Sequence, residues 1–124
     1  MECAKKCPIS TALKYVGKKW SIEIVKDMFY GAKSFSEFLE VNPQLSGKVL
    51  SQRLKELEAD GIITKDITSK SPLKIEYNLT EKGKKLNRVI FELAVFAMQT
   101  CSDELPKKQC SRAAIDDLRG KLKL

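Results

Sequence analysis

The chain has 124 residues, of which 43% are hydrophobic and 31% charged, a composition typical of one folded domain rather than a disordered segment. Histidine is absent, which excludes every site that uses an imidazole as general base or metal ligand. The formal net charge of +7 favours a polyanionic partner, with nucleic acid as the first candidate, although a lysine surplus that serves only solubility would give the same balance.

The sequence predicts a cytoplasmic protein that does not cross a membrane. Its longest apolar stretch, residues 89–98, is interrupted by Glu92 and is far shorter than the roughly 20 residues that span a bilayer. No apolar run of about 7–15 residues follows Lys5 and Lys6, so we expect no signal peptide.

The four cysteines are Cys3, Cys7, Cys101 and Cys110. They are too few for a disulfide scaffold, in which roughly 8–10% of residues are cysteine, and a cytoplasmic protein normally keeps its thiols reduced. No C-x-x-C pair suggests a zinc or thioredoxin-like site, although four thiolates from distant positions would still be able to meet in space. We therefore expect no metal and no cofactor, and the disulfide state of the four cysteines stays open.

Three short helices are predicted at the start of the chain. Residues 11–16 form the first, which stops at Gly17. Ser21 is placed to cap the second, an almost wholly apolar helix that ends at Gly31. The third helix, about two turns long, begins in residues 34–37, whose sequence Ser-Phe-Ser-Glu fits a capping box.

A fourth helix and a hairpin follow. Ser46 is placed to cap the helix, and Gly61 ends it. The hydrophobic pattern then changes to a period of two, which predicts strands at residues 62–68 and 73–79 joined by a turn at 69–72.

Two further helices are predicted after the hairpin. Thr80 caps a long helix whose apolar residues recur at three- and four-residue steps as far as Cys101, and Pro106 closes it. Residues 111–122 form a weaker amphipathic helix.

Short helices followed by a two-stranded hairpin are in the order of a winged helix-turn-helix. We therefore expect a mainly α fold with a small β-hairpin and a long C-terminal dimerisation helix. In such a fold the helix before the hairpin enters the major groove of DNA, and the hairpin contacts the flanking backbone. We assign DNA binding and dimerisation to a domain over residues 1–102 and treat 103–124 as a helical C-terminal extension.

The helix predicted to begin after Ser46 has one apolar and one polar face. At about 100° per residue, Leu50, Leu54 and Leu57 fall in one narrow stripe, and the opposite face holds side chains able to bind phosphates and base edges. Its first two turns hold no acidic residue, whereas an ordinary solvated face usually mixes both signs. With the lysines of the hairpin turn, which would also suit a merely solvated hairpin, the predicted DNA-binding residues are Ser46, Lys48, Ser51, Gln52, Lys55, Lys70 and Lys74.

The leading interpretation is a sequence-specific regulator of transcription, and no catalytic residue is expected. Without histidine, catalysis would rest on cysteine, lysine or carboxylates, and the sequence has no glycine-rich phosphate loop. The alternative is a winged-helix module that holds another protein or coats DNA without sequence preference. Ser51 and Gln52 favour specificity because both side chains are able to read base edges.

Five motifs, in the same order along the chain, resemble the HxlR-type winged-helix transcriptional regulators. They are Cys7-Pro8-Ile9, Val16-Gly17-Lys18-Lys19-Trp20, Phe35-Ser36-Glu37-Phe38, Leu50-Ser51-Gln52-Arg53-Leu54-Lys55-Glu56-Leu57-Glu58 with Gly61, and Ile75-Glu76-Tyr77-x-Leu79-Thr80-Glu81-x-Gly83. The match runs from Cys7 to Thr100, most of the chain. The resemblance implies a homodimeric DNA-binding regulator, in a family whose members often respond to redox or electrophile stress through the cysteine that matches Cys7.

The resemblance also implies dimerisation through the first and the last helix of the matched stretch. The residues predicted to form this interface are apolar side chains of those two helices: Leu13, Val16, Leu86, Val89, Ile90, Leu93 and Ala97. Phe91 and Phe96 widen the apolar surface of the long helix beyond what one small domain can cover, which supports the same expectation. A two-fold dimer in turn implies a pseudo-palindromic operator on double-stranded DNA.

The chemistry around Cys7 supports a redox switch only in part. A thiol near a helix N-terminus and beside Lys5 and Lys6 has its thiolate form favoured, and thiolate character makes a cysteine sensitive to oxidants. A cysteine that is merely a small buried residue fits the sequence equally well. Cys3, or Cys101 or Cys110 of a partner subunit, would be the candidates for a second thiol.

The chain departs from the HxlR-type pattern at three places. The family usually has Gly-Gly-Lys-Trp, and Lys18 stands here at the second glycine. Gly47 replaces a proline that is common in the family near the start of the helix that enters the major groove, which predicts a looser start of that helix. Trp20 is the single tryptophan, so the long helix lacks the one that is common in the family.

Overall fold

A computed structural model describes residues 7–124 of the chain, so Cys3, Lys5 and Lys6 lie outside the described residues. In chain order the elements are α1 (Pro8–Val16), α2 (Ser21–Phe29), α3 (Phe35–Val41), α4 (Gly47–Ala59), β1 (Ile63–Lys70), β2 (Leu73–Leu79), α5 (Glu81–Lys84), α6 (Asn87–Thr100), a 3-10 turn (Lys107–Cys110) and α7 (Arg112–Lys121). Within residues 7–124, no helix combines the length and the apolar character that crossing a membrane requires.

The caps predicted for α3 and α4 are confirmed. The Ser34 amide donates to Glu37 Oε1 at 3.2 Å, and the Glu37 amide donates to Ser34 Oγ at 3.3 Å, which completes a capping box. Ser46 Oγ accepts a hydrogen bond from the Val49 amide at 3.1 Å. Each bond satisfies a backbone donor that the first helical turn leaves unpaired, and this fixes where the two helices begin.

The first two helices begin differently from the prediction. α1 already starts at Pro8, because proline suits the first helical turn, where its missing N–H would have no partner in any case. Ser21 is not the cap of α2. The cap is Trp20, whose φ of 80° lies in the left-handed region, and Ser21 is the first helical residue and is buried.

The prediction of one long helix after Thr80 is wrong, because the segment forms two helices. Thr80 Oγ1 accepts from the Gly83 amide at 3.1 Å and caps the short α5. The amides of Lys85 and Leu86 then bond to carbonyls three residues earlier, at 3.3 and 3.1 Å, which tightens the chain before α6 begins. Gly83 weakens a continuous helix, yet it is required because a side chain there would collide with the carbonyl oxygen of Ile62.

The two strands form an antiparallel hairpin, and β1 extends into the predicted turn. The register pairs Ile63 with Leu79 at the base of the hairpin and shifts after Ile67, towards the tip. The Tyr77 amide donates to the Lys33 carbonyl at 2.8 Å. This bond ties β2 to the segment between α2 and α3, so the hairpin has a fixed place beside the helices.

One hydrophobic core joins the helices and the base of the hairpin. Its largest fully buried apolar side chains are Phe38, Ile24, Leu50, Leu57, Ile63, Leu122 and Val25. The rings of Phe38 and Tyr77 meet edge to face, with centroids 6.3 Å apart, so α3 contacts β2 directly. The helices α2 to α4 followed by the hairpin form a winged helix-turn-helix, as the order of elements predicts.

The predicted C-terminal helix is confirmed as α7, and it packs into the same core. Ser111 Oγ caps it by accepting from the Ala114 amide at 3.1 Å. Leu118 and Leu122 are buried among the core residues. The side chain of Asn87, at the start of α6, donates to the Leu122 carbonyl at 3.1 Å, which holds the end of the chain against the winged helix.

Candidate nucleic-acid interface

α4 carries the surface predicted to contact DNA. Leu50, Leu54 and Leu57 are buried, so the apolar stripe faces the core as predicted. The predicted DNA-binding residues of the other face are reachable from solvent, with Ser51 half-buried and the others exposed: Lys48, Ser51, Gln52 and Lys55. Ser46 is exposed as well, and its side-chain oxygen is engaged in the helix cap.

Gly47 is the first residue of α4, and the looser helix start that it implies stays a prediction. The helix begins at Gly47 with the Ser46 cap intact. A Cβ at this position would lie 3.7 Å from the ring of Phe35, which is an ordinary contact distance. The Ser46 cap is thus present at a helix start that lacks the restriction of φ that a proline would add.

Glu56 collects three donors beside the polar face of α4. Its Oε1 accepts from Gln52 Nε2 at 2.9 Å and lies 3.1 Å from Lys18 Nζ and 3.4 Å from a terminal guanidinium nitrogen of Arg53. The hydrogen bond from Gln52 lowers the pKa of the Glu56 carboxyl most, and Lys18 and Arg53 lower it further. Arg53 Nε also donates to the Lys19 carbonyl at 2.8 Å, which ties the turn after α1 to α4.

Sequence reasoning missed this network, although half of it has a local signal. Gln52 and Glu56 are four positions apart on one helix, a spacing at which side chains meet. The contact with Lys18 has no local signal, because it depends on how the turn after α1 packs against α4. Lys18, which stands where the family usually has its second glycine, thus forms an ion pair with a residue of α4.

The hairpin presents its predicted lysines to solvent. Lys70 and Lys74 are exposed, and Lys70 pairs with Leu73 beside the turn. Asp66, a carboxylate of the same hairpin, accepts from the side chain of Asn78 at 2.9 Å. Both carboxylates of the hairpin lie away from the turn, so the charged side chains at its tip are lysines alone and the tip is positively charged.

A second exposed surface, which we call the apolar face, lies on α1 and α6 and consists of Ile9, Leu13, Val89, Leu93 and Phe96. Leu13 is 56% exposed, Leu93 51% and Phe96 62%, large fractions for apolar side chains. No side chain of α1 is buried. A mainly apolar groove of about 450 Å³ runs between α1 and the start of α6.

The residues predicted for the dimer interface occupy different environments. Three are exposed on the apolar face and three are half-buried beside it: Leu13, Val89 and Leu93, then Val16, Leu86 and Ala97. Ile90 is only 4% exposed and packs into the core of its own subunit, so its side chain offers almost no surface to a partner. Phe91 is buried as well, whereas Ile9 and Phe96 belong to the apolar face and were not among the predicted residues.

The described cysteines lie at the ends of helical segments. Cys7 is the N-cap of α1, where its carbonyl accepts from the Thr11 amide at 2.9 Å, and its side chain is half-buried. Cys101 follows α6 and Cys110 ends the 3-10 turn, both half-buried. Within residues 7–124, no group of three cysteine, aspartate or glutamate side chains is arranged to hold a metal ion.

The winged helix matches a known family over most of the chain. A family model described as HxlR-like helix-turn-helix matches residues 15–105. The chain belongs to the HxlR-like helix-turn-helix family. This agrees with the resemblance that its five motifs indicate.

Known proteins similar to this HxlR-family chain are transcriptional regulators. It is 39% identical over 100 residues to the uncharacterized HTH-type transcriptional regulator YvaP of Bacillus subtilis (strain 168), covering 80% of this chain and 93% of YvaP. The structure of the redox regulator HypR in its reduced form has a TM-score of 0.71 and 30% identity, over 79% of this chain and 99% of that one. The reduced form of the transcriptional regulator YodB from B. subtilis has a TM-score of 0.64 and 35% identity, over 77% of this chain and 94% of that one. The chain is a transcriptional regulator of the helix-turn-helix type.

Proposed function

We propose that this HxlR-family regulator binds operator DNA sequence-specifically as a homodimer in the cytoplasm, and that binding rather than catalysis is its activity. In each half-site α4 lies in the major groove, and the hairpin contacts the flanking backbone. The observation that carries the proposal is the division of α4 into a buried leucine face and an exposed face of lysine, serine and glutamine.

The residues of α4 have different roles in this proposal. The amide of Gln52 reads a base edge, since glutamine can make two hydrogen bonds to adenine in the major groove, and Ser51 beside it can bond to several bases. Lys48 and Lys55 bind phosphate or guanine. The hydrogen bond from Gln52 to Glu56 at 2.9 Å supports a base-reading role, because it holds the amide in one orientation before DNA arrives.

The lysines of the hairpin bind phosphates without reading sequence. Lys70 and Lys74 lie at and near the tip of the hairpin, where long flexible side chains can follow the backbone. Such contacts release counterions, so they strengthen binding to every sequence and make it sensitive to salt.

The apolar face supports the homodimer. Leucine, valine and phenylalanine side chains exposed together on α1 and α6 favour association, because burial removes apolar surface from water. Tyr15 of α1 lies under the ammonium of Lys82 in α5, at 4.2 Å, which holds α1 in place beside the groove. A two-fold dimer built on this face would bind a pseudo-palindromic operator with half-sites about one helical turn, or a multiple, apart.

Cys7 supports a redox response of the same dimer. HypR is named a redox regulator, and YodB has been studied in a reduced and a diamide-treated form. In this chain Cys7 lies at the N-terminus of α1, which carries part of the apolar face. Oxidation of Cys7, with Cys3 or with Cys101 or Cys110 of the partner subunit as second thiol, would change how the two subunits pack and thereby the spacing of the two α4 helices.

The proposed function is tested by selecting bound duplexes from a randomised pool and then titrating the selected duplex and a scrambled one at two salt concentrations. We expect the selected sequence to be a pseudo-palindrome bound about 10³-fold more tightly than the scrambled duplex. As a control, the variant Lys107→Gln, which removes a charge on the 3-10 turn away from α4, should show the same ratio of affinities as the wild type. Equal affinity for both duplexes would indicate a non-specific coating protein, and binding to neither would indicate a protein-interaction module, so either result overturns the proposal.

A further inference from the structure

A half-open cavity of about 650 Å³ lies apart from α4 and from the apolar face. It is bounded by the end of α2, the end of β2, the segment from α5 to the start of α6, and the last residues of the chain. Its apolar lining includes Met28, Phe29 and Leu79. The volume falls in the range of about 300–1,000 Å³ that is typical of sites for small molecules.

Among the described residues, the charged side chains that line this cavity are all lysines. Three lysines line it, Lys33, Lys84 and Lys123, and among the described residues no aspartate or glutamate does. Lys84 Nζ lies 3.3 Å from Glu81, but that carboxylate is almost wholly exposed to water, so the pair is weak and the lysine remains available to an anion. A lining that combines apolar side chains with lysines, beside the uncharged polar Asn78 and Asn87, complements an anion with an apolar body.

The C-terminal residues complete one wall of the cavity. Leu122 is fully buried, its carbonyl accepts from the Asn87 side chain at 3.1 Å, and Lys123 follows in a left-handed conformation with φ of 58°. The Leu124 amide donates to the Arg119 carbonyl at 2.9 Å, which closes the end of the chain back on α7. The match to the family ends at residue 105, so this wall is a feature of the chain that the family pattern does not include.

We propose that this cavity binds a small carboxylate with an aromatic or branched apolar body. The body fills the lining beside Phe29 and Leu79 and displaces water from it, while the carboxylate lies among the ammonium groups of Lys33, Lys84 and Lys123. An inorganic phosphate would meet the same lysines but would leave the apolar lining wet, so the apolar body is part of the recognition.

The position of the cavity connects it with regulation, and this step rests on the proposed function. Its walls belong to α2, to the base of the hairpin and to α6, the elements from which the hairpin tip and the apolar face extend. A ligand that binds more tightly to one arrangement of these walls shifts the population towards it. The carboxylate would therefore act as an effector of operator binding.

Binding is tested without DNA, by titrating the isotope-labelled full chain with 2-naphthoate and recording backbone amide shifts by NMR. We expect saturable shifts at Ala32, Leu79 and Leu122, with a dissociation constant below about 1 mM. The neutral analogue 2-naphthamide should bind about tenfold more weakly, because it lacks the charge that the lysines recognise.

Two variants of equal charge change show whether the lysines of the cavity are responsible. The triple variant Lys33→Gln, Lys84→Gln, Lys123→Gln should weaken 2-naphthoate binding about tenfold. The control, with Lys107→Gln, Lys108→Gln and Arg112→Gln outside the cavity, should change it less than about twofold. The site would be overturned if about 5 mM 2-naphthoate caused no shifts, or if the shifts were centred on Leu13 and Val89. It would also be overturned if 2-naphthamide bound as tightly as 2-naphthoate, or if both triple variants weakened binding equally.

The effector role is measured separately, as operator affinity with and without 2-naphthoate. If 2-naphthoate shifts the backbone amide signals but the chain binds all DNA sequences equally, the binding site stands and the proposed function fails. If sequence-specific binding is found and the amide shifts are absent, the proposed function stands and the site fails.

Discussion

The polar face of α4 and the apolar face on α1 and α6 differ in how they interact with water. α4 buries its leucines and exposes Lys48, Gln52 and Lys55, which water solvates well. The apolar face leaves Leu93 and Phe96 about half exposed or more, and water solvates these poorly. Association through the first surface is favourable only if the partner offers matching charges and hydrogen-bond groups. Association through the second is favoured by any apolar surface that covers it, because water is displaced.

This difference predicts different responses to mutation. Burying one leucine or phenylalanine side chain contributes about 1.5–3 kcal/mol, while one exposed ionic contact is worth about 0.2–1 kcal/mol and weakens with salt. We therefore expect the largest effects from changes on the apolar face, intermediate effects from the base-reading residue of α4, and the smallest from single charges.

Leu93→Lys should give the largest effect. In the proposed dimer Leu93 is covered by the partner, and a lysine there would bring a charge into an apolar contact. We expect a monomer at micromolar concentration in sedimentation equilibrium and a loss of operator affinity of about 100-fold, since each subunit then binds a single half-site.

The matched control for this variant is Val41→Lys. Val41 is an apolar residue on α3 that is 55% exposed and lies outside the apolar face. The control therefore adds the same charge at an exposed apolar position that the proposed dimer does not cover. The control should remain dimeric. A monomeric wild type, with and without DNA, would contradict the dimer.

Gln52→Ala should reduce sequence discrimination. Losing two hydrogen bonds to one base should reduce the difference in binding free energy between the preferred base and the other bases at that position by about 1–3 kcal/mol. The rest of the operator should still be recognised. The measurement compares the binding profiles of wild type and variant on a library of single-base operator changes. An unchanged profile would show that Gln52 reads no base.

Cys7→Ser should abolish a response to oxidants while leaving binding under reducing conditions intact. We expect diamide to change the operator affinity of the wild type several-fold, because oxidation alters the packing of α1 at the apolar face. Cys3→Ser, Cys101→Ser and Cys110→Ser identify the second thiol, as only the variant that lacks it should also lose the response. An equal response in wild type and Cys7→Ser, or no response in either, rules out Cys7 as the sensor.

Lys70→Gln should weaken binding to all sequences alike. A phosphate contact carries no sequence information, so the affinities for selected and scrambled duplexes should fall together by a few-fold, and the slope of log affinity against log salt should flatten by about one unit. Lys107→Gln serves again as the control. A loss confined to the selected duplex would assign Lys70 to base reading.

Glu56→Gln should give the smallest effect, and one that depends on pH. The folded protein lowers the pKa of Glu56, chiefly through the hydrogen bond from Gln52, so its ionised form stabilises the fold above the ordinary pKa of about 4.3. This contribution is lost as the pH falls through the lower folded pKa. We expect the free energy of unfolding of the wild type to exceed that of the variant by less than about 1 kcal/mol at pH 7, and this difference to shrink towards acid pH as the carboxyl is protonated, in denaturant unfolding.

A difference that grows towards low pH would contradict this sign. The Gln52 amide would also be less firmly held in the variant, because the charged acceptor is gone. Operator discrimination should therefore decline slightly in Glu56→Gln, in the same direction as in Gln52→Ala.

Local sequence patterns were sufficient to predict most of the fold and the exposed face of α4. The caps at Ser34 and Ser46, the leucine stripe of α4 and the alternation in β2 act within a few residues, so their geometry is contained in the sequence itself. The order of these elements then restricted the fold to a winged helix. The same local periodicity placed Leu13 and Leu93 on apolar helix faces, though it did not say which apolar residues the subunit buries.

The tertiary structure decided which surfaces remain exposed and which residues distant in sequence meet. Ile90 and Val89 are adjacent and equally apolar, yet only packing shows that the first belongs to the core. The contact of Lys18 with Glu56 and the cavity wall formed by Leu122 depend on how whole elements lie against one another. A sequence pattern specifies the faces of a single helix or strand, and only the folded chain specifies what covers each face.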